Sequence, residues 1–297
     1  MRPRPDLSIR QLEYLVAVAE APTWAVAADR VGVSPSALSQ GLAELERRLG
    51  VPLFERDGRR RQVRDSAAPV VAHARQVLGL TQDLATWSDR LRTGRTGRLR
   101  IGMIDAAAVV HFPEALREFR REHPEVDLLL RVAPSAPLLE LLAAGELDVV
   151  VCVEPAARGA GIATEPLLTE TLAVYAPPGT SIGDPRHWGP WVLFPAGSHT
   201  RTVVVEELAA LGAQIDVAAE SHQPEVLREM VRLGTGWTVL PTSQAEHGDR
   251  PLERGRALAE RRLVLARREG AVTDPAVELL AERLRPHSTH ARALPHA

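Results

Sequence analysis

Lysine is absent from the 297 residues, so all 36 fixed basic groups are arginine. Arginine suits bidentate contacts to phosphate and guanine. The absence runs equally through the acidic part of the chain, however, so GC-rich coding bias explains it and it carries no functional weight. Cysteine is nearly absent too. A single residue, Cys152, excludes an internal disulfide and any peroxide sensor working through two thiols. It lies in a run of valines and reads as a small buried hydrophobe. No stretch approaches the roughly 18 uninterrupted apolar residues of a spanning helix. Met1–Arg10 holds Pro and Arg without an apolar segment, so no secretory leader is expected. The expected location is the cytoplasm, with no membrane partner. Also missing are H-E-x-x-H, G-x-S-x-G, paired C-x-x-C and a phosphate loop, and Gly234-Thr235-Gly236 lacks the third glycine of a dinucleotide loop. His111, His123 and His187 show no metal-ligand spacing and read as surface histidines. No metal, cofactor or catalytic residue is expected, and no short fixed repeat is present.

Charge is unevenly divided. Residues 1–100 carry 17 Arg and 11 acids, a net +6, whereas residues 101–297 carry a net −8. Seven Arg stand against two acids, Glu55 and Asp57, between Arg47 and Arg64. A basic first third on an acidic remainder suggests that one part faces a polyanion. A length of 297 residues suits two or three domains, and 45% hydrophobic content suffices for a sizeable core.

Helical periodicity places Ile9, Leu12, Val16 and Ala19 on one face of a helix ending before Pro22. Thr23 can cap a short helix over 24–31, which Gly32 stops. Ser34 can cap a third, with Pro35 at its first position and Leu38, Leu42, Leu45 and Leu49 on one face. Two extended runs, 53–56 and 60–63, flank Asp57-Gly58, a hairpin signal. Over 66–92 the helical pattern returns, with Val70, Val77, Leu84 and Leu91 seven residues apart as a pairing seam. Thr93–Gly97 is a hinge. From Arg98, strands are expected at 99–104, 127–132, 148–153, 172–175, 191–194, 214–218, 237–240 and 262–266, with helices between them and a closing helix over 274–284. That alternation predicts an α/β domain with mostly parallel sheets. Residues 286–297 are expected to be a flexible tail.

Two short helices joined by Val31-Gly32-Val33, with Ala27-Ala28 permitting close approach, are what a helix-turn-helix needs. The third helix then carries Ser36, Ser39 and Gln40 on its free face. Side chains there can reach base edges, and Gln can pair with adenine. An ordinary helical hairpin with a polar face is the plain alternative; the Arg-rich hairpin and the charge division argue against it.

The run RQLEYLVAVAEAPTWAVAADRVGVSPSALSQGLAELERRLGVPLFERDGRRRQV resembles the N-terminal domain of LysR-type transcriptional regulators. Its most specific pieces are Ala27-Ala28, Ser34 to Ser39, Leu45-Glu46, Leu49-Gly50 and Pro52 to Arg56. The resemblance implies a fold of three parts. These are an N-terminal winged helix-turn-helix, a long linker helix, and a two-subdomain α/β effector domain resembling periplasmic solute-binding proteins. It implies double-stranded DNA with a dyad-symmetric operator as partner, pairing into a homodimer and a further tetramer, and a wing beside the minor groove carrying Arg56. Ser34, Pro35, Ser36, Ser39, Gln40, Arg56, Arg59, Arg60 and Arg64 are the candidate DNA contacts. Two departures stand out: Pro35-Ser36 replaces the family's Gln-Pro, and Arg64 replaces a threonine after the wing. The latter offers a longer, charged phosphate donor.

The later segments Ala143–Val151 and Val231–Pro241 resemble the family's effector domain more loosely. Expected boundaries are 1–65 for the DNA-binding domain, 66–92 for the linker helix, 93–97 for the hinge and 98–285 for the effector domain. Subdomain I takes 98–168 and 263–285, and subdomain II takes 169–262. The chain should cross between them near 168–172 and 261–264. Ligands of open α/β sheets bind beyond strand carboxyl ends, at helix N-termini. That selects Asp105, Ala106, Ser135, Ser198, His199, Thr200, Arg201 and Thr235, with Arg201 as countercharge to a carboxylate and Asp105 as partner to an amino group. A small polar metabolite is the expected effector. The rival classes are an architectural DNA-binding protein without ligand response and an enzyme on a solute-binding fold.

Overall fold

The computed structural model describes residues 6–57, 60–93, 97–156, 161–247, 250–253, 255–272 and 274–285. Helix α1 (Ile9–Glu20) opens with a capping box, in which Ser8 Oγ accepts from the Gln11 amide at 3.2 Å and Gln11 Oε1 accepts from the Ser8 amide at 3.1 Å. Thr23 Oγ1 caps α2 (Trp24–Arg30) through the Val26 amide. Ser34 Oγ caps α3 (Pro35–Leu49) through the Ala37 amide, and Gly50 ends that helix at φ +70°. Leu15, Ala27, Ala28, Leu38, Leu42 and Leu45 are fully buried between these helices. A Cβ at Gly41 would stand 2.7 Å from the Tyr14 ring, so only glycine lets α1 and α3 cross this closely. Strands β1 (Phe54–Asp57) and β2 (Arg60–Val63) form the antiparallel hairpin, pairing Phe54 with Val63 and Arg56 with Arg61.

A short 3-10 turn (Asp65–Ala67) leads into the linker helix α4 (Ala68–Thr93). Its first half is committed to its own domain. Val71 and Ala74 are buried in the N-terminal core, and Val70 and Val77 are partly covered by it. A helix leaving a small domain must close that domain's core with its apolar face before it can offer any to a partner. Among the described side chains of the expected seam, only Leu84 is exposed, at 53%, beside Trp87 at 42%. The side chain of Leu91 lies outside the described residues.

The effector region runs β3 (Arg98–Met103), a π-helical turn (Ala106–His111), α5 (Pro113–Glu122), β4 (Asp127–Val132), α6 (Ser135–Ala143), β5 (Val149–Val153) and β6 (Ile162–Tyr175). It continues with a 3-10 turn (Pro185–His187), β7 (Trp191–Leu193), α7 (His199–Ala210), β8 (Val217–Glu220), α8 (Pro224–Arg232) and β9 (Thr238–Pro241). A one-turn helix α9 (Thr242–Ala245), β10 (Arg256–Arg268) and α10 (Pro275–Leu284) complete it. Six strands form one sheet in the order β4-β3-β5-β10-β6-β9, and β7 pairs with β8.

The expectation of mostly parallel pairing needs correction. β3 runs parallel to β4 and β5, and β7 to β8, but β10 is antiparallel to both β5 and β6, and β6 to β9. The two reversed strands pass between the subdomains, where the chain returns rather than crossing over by a helix. They are also much longer than their apolar stretches suggest. Glu165, Thr169 and Glu170 in β6, and Glu260, Arg261 and Arg262 in β10, break the hydrophobic pattern in the span between the two cores. The strand expected at 214–218 lies at 217–220, and the π-helical turn carries no sequence signal that we can identify.

Candidate DNA-reading face and effector cleft

On α3, Ser34, Pro35, Ser36 and Gln40 are exposed and Ser39 is half-buried. Ser34 is occupied as the cap, and its Oγ also lies 3.0 Å from Ser36 Oγ. Gln40 makes no side-chain hydrogen bond among the described residues, so its amide is available to a base edge. The hairpin is held against α3 by Glu46, whose Oε1 accepts from the amides of Leu53 at 2.8 Å and Phe54 at 3.2 Å. This fixes the wing's angle to the helix, and the sequence reading had noticed Glu46 only as a motif position. Arg56 and Arg60 sit in β1 and β2; their side chains, and the whole of Arg59, lie outside the described residues. Arg64 has a second role beside the one expected of it. Its Nε donates to the Phe54 carbonyl at 3.0 Å, with Glu55 at 3.9 Å. It braces the hairpin through that one donor while its side chain stays 40% exposed.

Between the subdomains lies a cleft of about 300 Å³. Asp105, Ala106, Ser135, Ser198 and Thr200 line it, joined by Phe194, His222, Gln223, Gln244 and Arg261. Three expected residues do not. Arg201 turns into subdomain II, donating to the Phe194 carbonyl at 3.0 Å beside Glu220 at 3.7 Å. His199 Nδ1 lies 3.4 Å from the Val153 carbonyl. Thr235 is exposed at the turn after α8, its amide bonded to Met230, at the C-terminal end of the helix whose N-terminus faces the cleft. For His199 and Arg201 the sequence found the correct loop but the side chains turn elsewhere, whereas Thr235 lies at the wrong end of its helix.

The arginine that lines the cleft is Arg261 and not Arg201. Its Nε donates to Glu170 Oε2 at 2.7 Å and its Nη1 to Thr200 Oγ1 at 2.8 Å. Glu170 Oε1 in turn accepts from Ser243 at 2.7 Å and lies 2.7 Å from His111 Nε2. His111 is therefore a member of a buried network and not the surface histidine expected. Burial opposes ionisation of Glu170, but the hydrogen bonds from His111 and Ser243 and the charge of Arg261 outweigh it and hold its pKa at about 2. Burial lowers Arg261 while Glu170 raises it. The two charges cancel, so Arg261 presents little net field to the cleft. Across the cleft, Gln244 Nε2 donates to Asp105 Oδ1 at 2.9 Å, tying subdomain II to subdomain I. Burial and the nearby Glu225 carboxylate raise the pKa of Asp105 against that hydrogen bond.

Three helices of nine or more residues open on this cleft. Their N-cap positions, Pro134 for α6, Ser198 for α7 and Gln223 for α8, make no side-chain cap. Uncapped first-turn N–H groups carry a partial positive charge. Two buried hydroxyls add to them. Ser135 Oγ accepts from the Val153 amide and Thr200 Oγ1 accepts from Arg261, which leaves each free to donate its own proton.

Residues 9–68 match the bacterial regulatory helix-turn-helix family named for LysR, and residues 92–289 match the LysR substrate binding domain family. The chain belongs to the LysR family. It is a DNA-binding transcription regulator with an effector-binding domain, and not an enzyme. This regulator is 28% identical over 246 residues to the regulator IlvR of Caulobacter vibrioides, covering 80% of this chain and 83% of that one. It is 27% identical over 264 residues to the regulator IlvY of Escherichia coli, covering 86% and 89%. A full-length OxyR variant from Pseudomonas aeruginosa superposes with a TM-score of 0.62 at 26% identity, covering 96% of this chain and 97% of that one. CbnR, a LysR family regulator, shares the fold at a TM-score of 0.57 and 22% identity, covering 94% and 98%. Among the described residues no helix is long and apolar enough to cross a membrane.

Proposed function

We propose that this regulator works in the cytoplasm as a homodimer, paired again into a tetramer, and that a small carboxylic acid bearing an amino or hydroxyl group controls its hold on a dyad-symmetric operator. In this reading residues 1–65 read DNA, 66–92 pair subunits, 93–97 form the hinge and 98–285 receive the effector. Subdomain I comprises 98–168 and 263–285, and subdomain II 169–262. Ser39 and Gln40 read bases, while Arg56, Arg59 and Arg60 hold phosphate or the minor groove.

The single observation that carries the effector class is the convergence of three uncapped helix N-termini and two free hydroxyl protons on one cleft. These are donors seeking an oxygen anion. Among the described residues no unpaired arginine lines the cleft to fix a second anionic group, and Asp105 supplies an acceptor for an N–H or O–H. A thiol-based peroxide response does not fit this chain. Cys152 is buried among Val150, Val151 and Val153, and burial pushes its pKa up to about 12, so little thiolate forms at neutral pH.

The test is thermal unfolding of the full chain with a panel of 2-amino and 2-hydroxy carboxylates, each beside its carboxamide. The reading expects a stabilising shift from some acids and none from the matching amides. Equal shifts from acid and amide would remove the carboxylate from the recognition scheme. Light scattering of Leu84→Asp combined with Trp87→Asp checks the pairing seam, for which reduced mass is the expected result.

A further inference from the structure

We propose that Gly79, Asp83 and Arg268 form an intrachain clasp through which strand β10 carries the state of the cleft to the linker helix. The inference rests on the cleft being the regulatory site. Arg268 is the last residue of β10, and its side chain is only 3% exposed. Its Nε donates to Asp83 Oδ2 of α4 at 2.8 Å, and its Nη2 donates to Asp83 Oδ1. Its Nη1 reaches the carbonyls of Leu142, in α6, and Leu147, before β5. A guanidinium is tolerated at this depth only because its donors are met by the linker helix on one side and subdomain I on the other. The Asp83 side chain is 9% exposed. This is not one of the solvated ion pairs that form and break at a surface.

The packing around the pair is as close as the chain allows. Gly79 lies in the interior of α4, where glycine weakens a helix. A Cβ there would stand 2.7 Å from the Ala143 carbonyl oxygen and 3.1 Å from Arg268 Cδ. Opposite it, Gly145 adopts φ +77°, and a Cβ on it would stand 3.0 Å from Gly79 Cα. Two glycines meeting face to face set the linker helix directly on the end of α6. The helix is fastened at its other end as well. Val71 and Ala74 sit in the core of the DNA-reading domain, and Arg75 Nε bonds Glu20 of α1 at 3.0 Å. One helix is thus fixed to both the reader and the receiver within a single chain.

The link to the cleft is β10 itself. Arg261, bonded to Glu170 and Thr200, and Arg268, bonded to Asp83, are seven residues apart on one strand, roughly 23 Å at the usual rise. β5 and β6 flank this strand antiparallel, with a register shift against β6 at Leu263/Val264, so a displacement at Arg261 is carried along a strand held by ladders on both edges. A ligand that accepts the Thr200 proton pulls on the oxygen that Arg261 holds. A shift of β10 in response must move Arg268 and, through Asp83, the linker helix. Asp83, Gly79 and Arg268 act as positioning residues and touch neither ligand nor DNA.

A double-mutant cycle in the full-length protein tests this without knowledge of the effector. The probe is a DNA duplex obtained by selection from a random pool with the wild-type chain. Affinities are measured for wild type, Thr200→Val, Asp83→Asn and the double variant. The clasp requires that Thr200→Val change affinity and that Asp83→Asn cancel about five-fold or more of that change, the lower end of ordinary coupling between sites. Gly79→Ala, which blocks docking without altering charge, should cancel it in the same way. If the two single effects simply multiply, the clasp is not the relay, although the cleft remains regulatory. If Thr200→Val alone leaves affinity unchanged, relay and cleft reading fall together. Hydrogen exchange supplies a check on folding. In Asp83→Asn, residues 76–88 should exchange faster while residues 9–49 keep their protection, and unchanged exchange at 76–88 would overturn the clasp.

Discussion

The helices of the DNA-reading domain and those around the cleft obey local rules to different degrees. Ser8, Thr23 and Ser34 each cap their helix with a side-chain oxygen. Pro134, Ser198 and Gln223, at the helix starts facing the cleft, do not. Ser198 is chemically as able to cap as Ser34. The difference is what lies beyond the helix end. α3 begins at an exposed turn where the Ser34 side chain satisfies its own helix's backbone, whereas α7 opens on a cavity that a ligand can fill. Missing caps are not confined to the cleft, since Phe112 leaves α5 uncapped and Asp274 caps α10; what singles out the cleft is that three uncapped starts converge on one cavity. The charges divide in the same way. The arginines around the wing lie in the basic third of the chain, whereas Arg261 is neutralised by Glu170 at the hinge between subdomains.

The largest test of this contrast is at the hinge. Glu170→Gln keeps the shape but strands the Arg261 charge, and should cost about 3–5 kcal/mol in urea unfolding at neutral pH. A cost below about 1 kcal/mol would reduce the pair to the rank of a surface bridge. On the reading helix, Gln40→Ala should lose about 1–3 kcal/mol of discrimination at one base pair. Arg60→Ala should instead weaken all sequences alike and flatten the salt dependence. Unchanged sequence preference in sites selected with Gln40→Ala would reassign base reading to other residues.

The caps give a smaller and more direct comparison. Ser34→Ala should cost about 0.5–2 kcal/mol of stability. Ser198→Ala, which removes no cap, should stay within about 0.5 kcal/mol while weakening the carboxylate-induced thermal shift. Equal costs at both serines would erase the distinction.

The comparison extends to the pH dependence. Glu170 is held below its unfolded pKa, so its contribution is complete above about pH 4.5 and is lost as pH falls toward about 2. Asp105 has the opposite sign. Its folded pKa is raised, so the unfolded chain ionises first and the group costs stability as pH rises past its ordinary value. Asp105→Asn should therefore gain slightly in neutral stability, and Glu170→Gln should lose the acid-dependent slope. Both are read from unfolding curves across pH 2–7.

Much of the N-terminal domain was legible because its signals are local. Ser8, Thr23 and Ser34 stand immediately before apolar periodic runs, Gly50 stops one, and the strands on either side of the Asp57-Gly58 signal pair as a hairpin. Each is a requirement satisfied within a few residues. Even there, the bracing role of Arg64 was hidden, because its acceptor, Phe54, lies on the opposite strand. The linker helix shows the same limit. A heptad pattern records which face of α4 is apolar, but not that Val70 and Val77 are spent on the chain's own core.

In the effector domain the sequence located the loops around the cleft, since strand ends and helix starts are locally marked. It misassigned the charge within them. Arg201 and Arg261 look alike as residues beside polar neighbours, and only the placement of β10 next to β6 and α7 decides that Arg261 meets Glu170 and Thr200 while Arg201 turns away. His111, Ser243, Gln244 and Asp83 were missed because their partners lie 59, 73, 139 and 185 positions away. By itself the sequence determined the family, the reading helix and the order of elements, all of which follow from interactions between near neighbours along the chain. The tertiary structure alone decided which buried charges pair and how the linker helix is fastened, because those depend on strand order and direction, which no local pattern encodes.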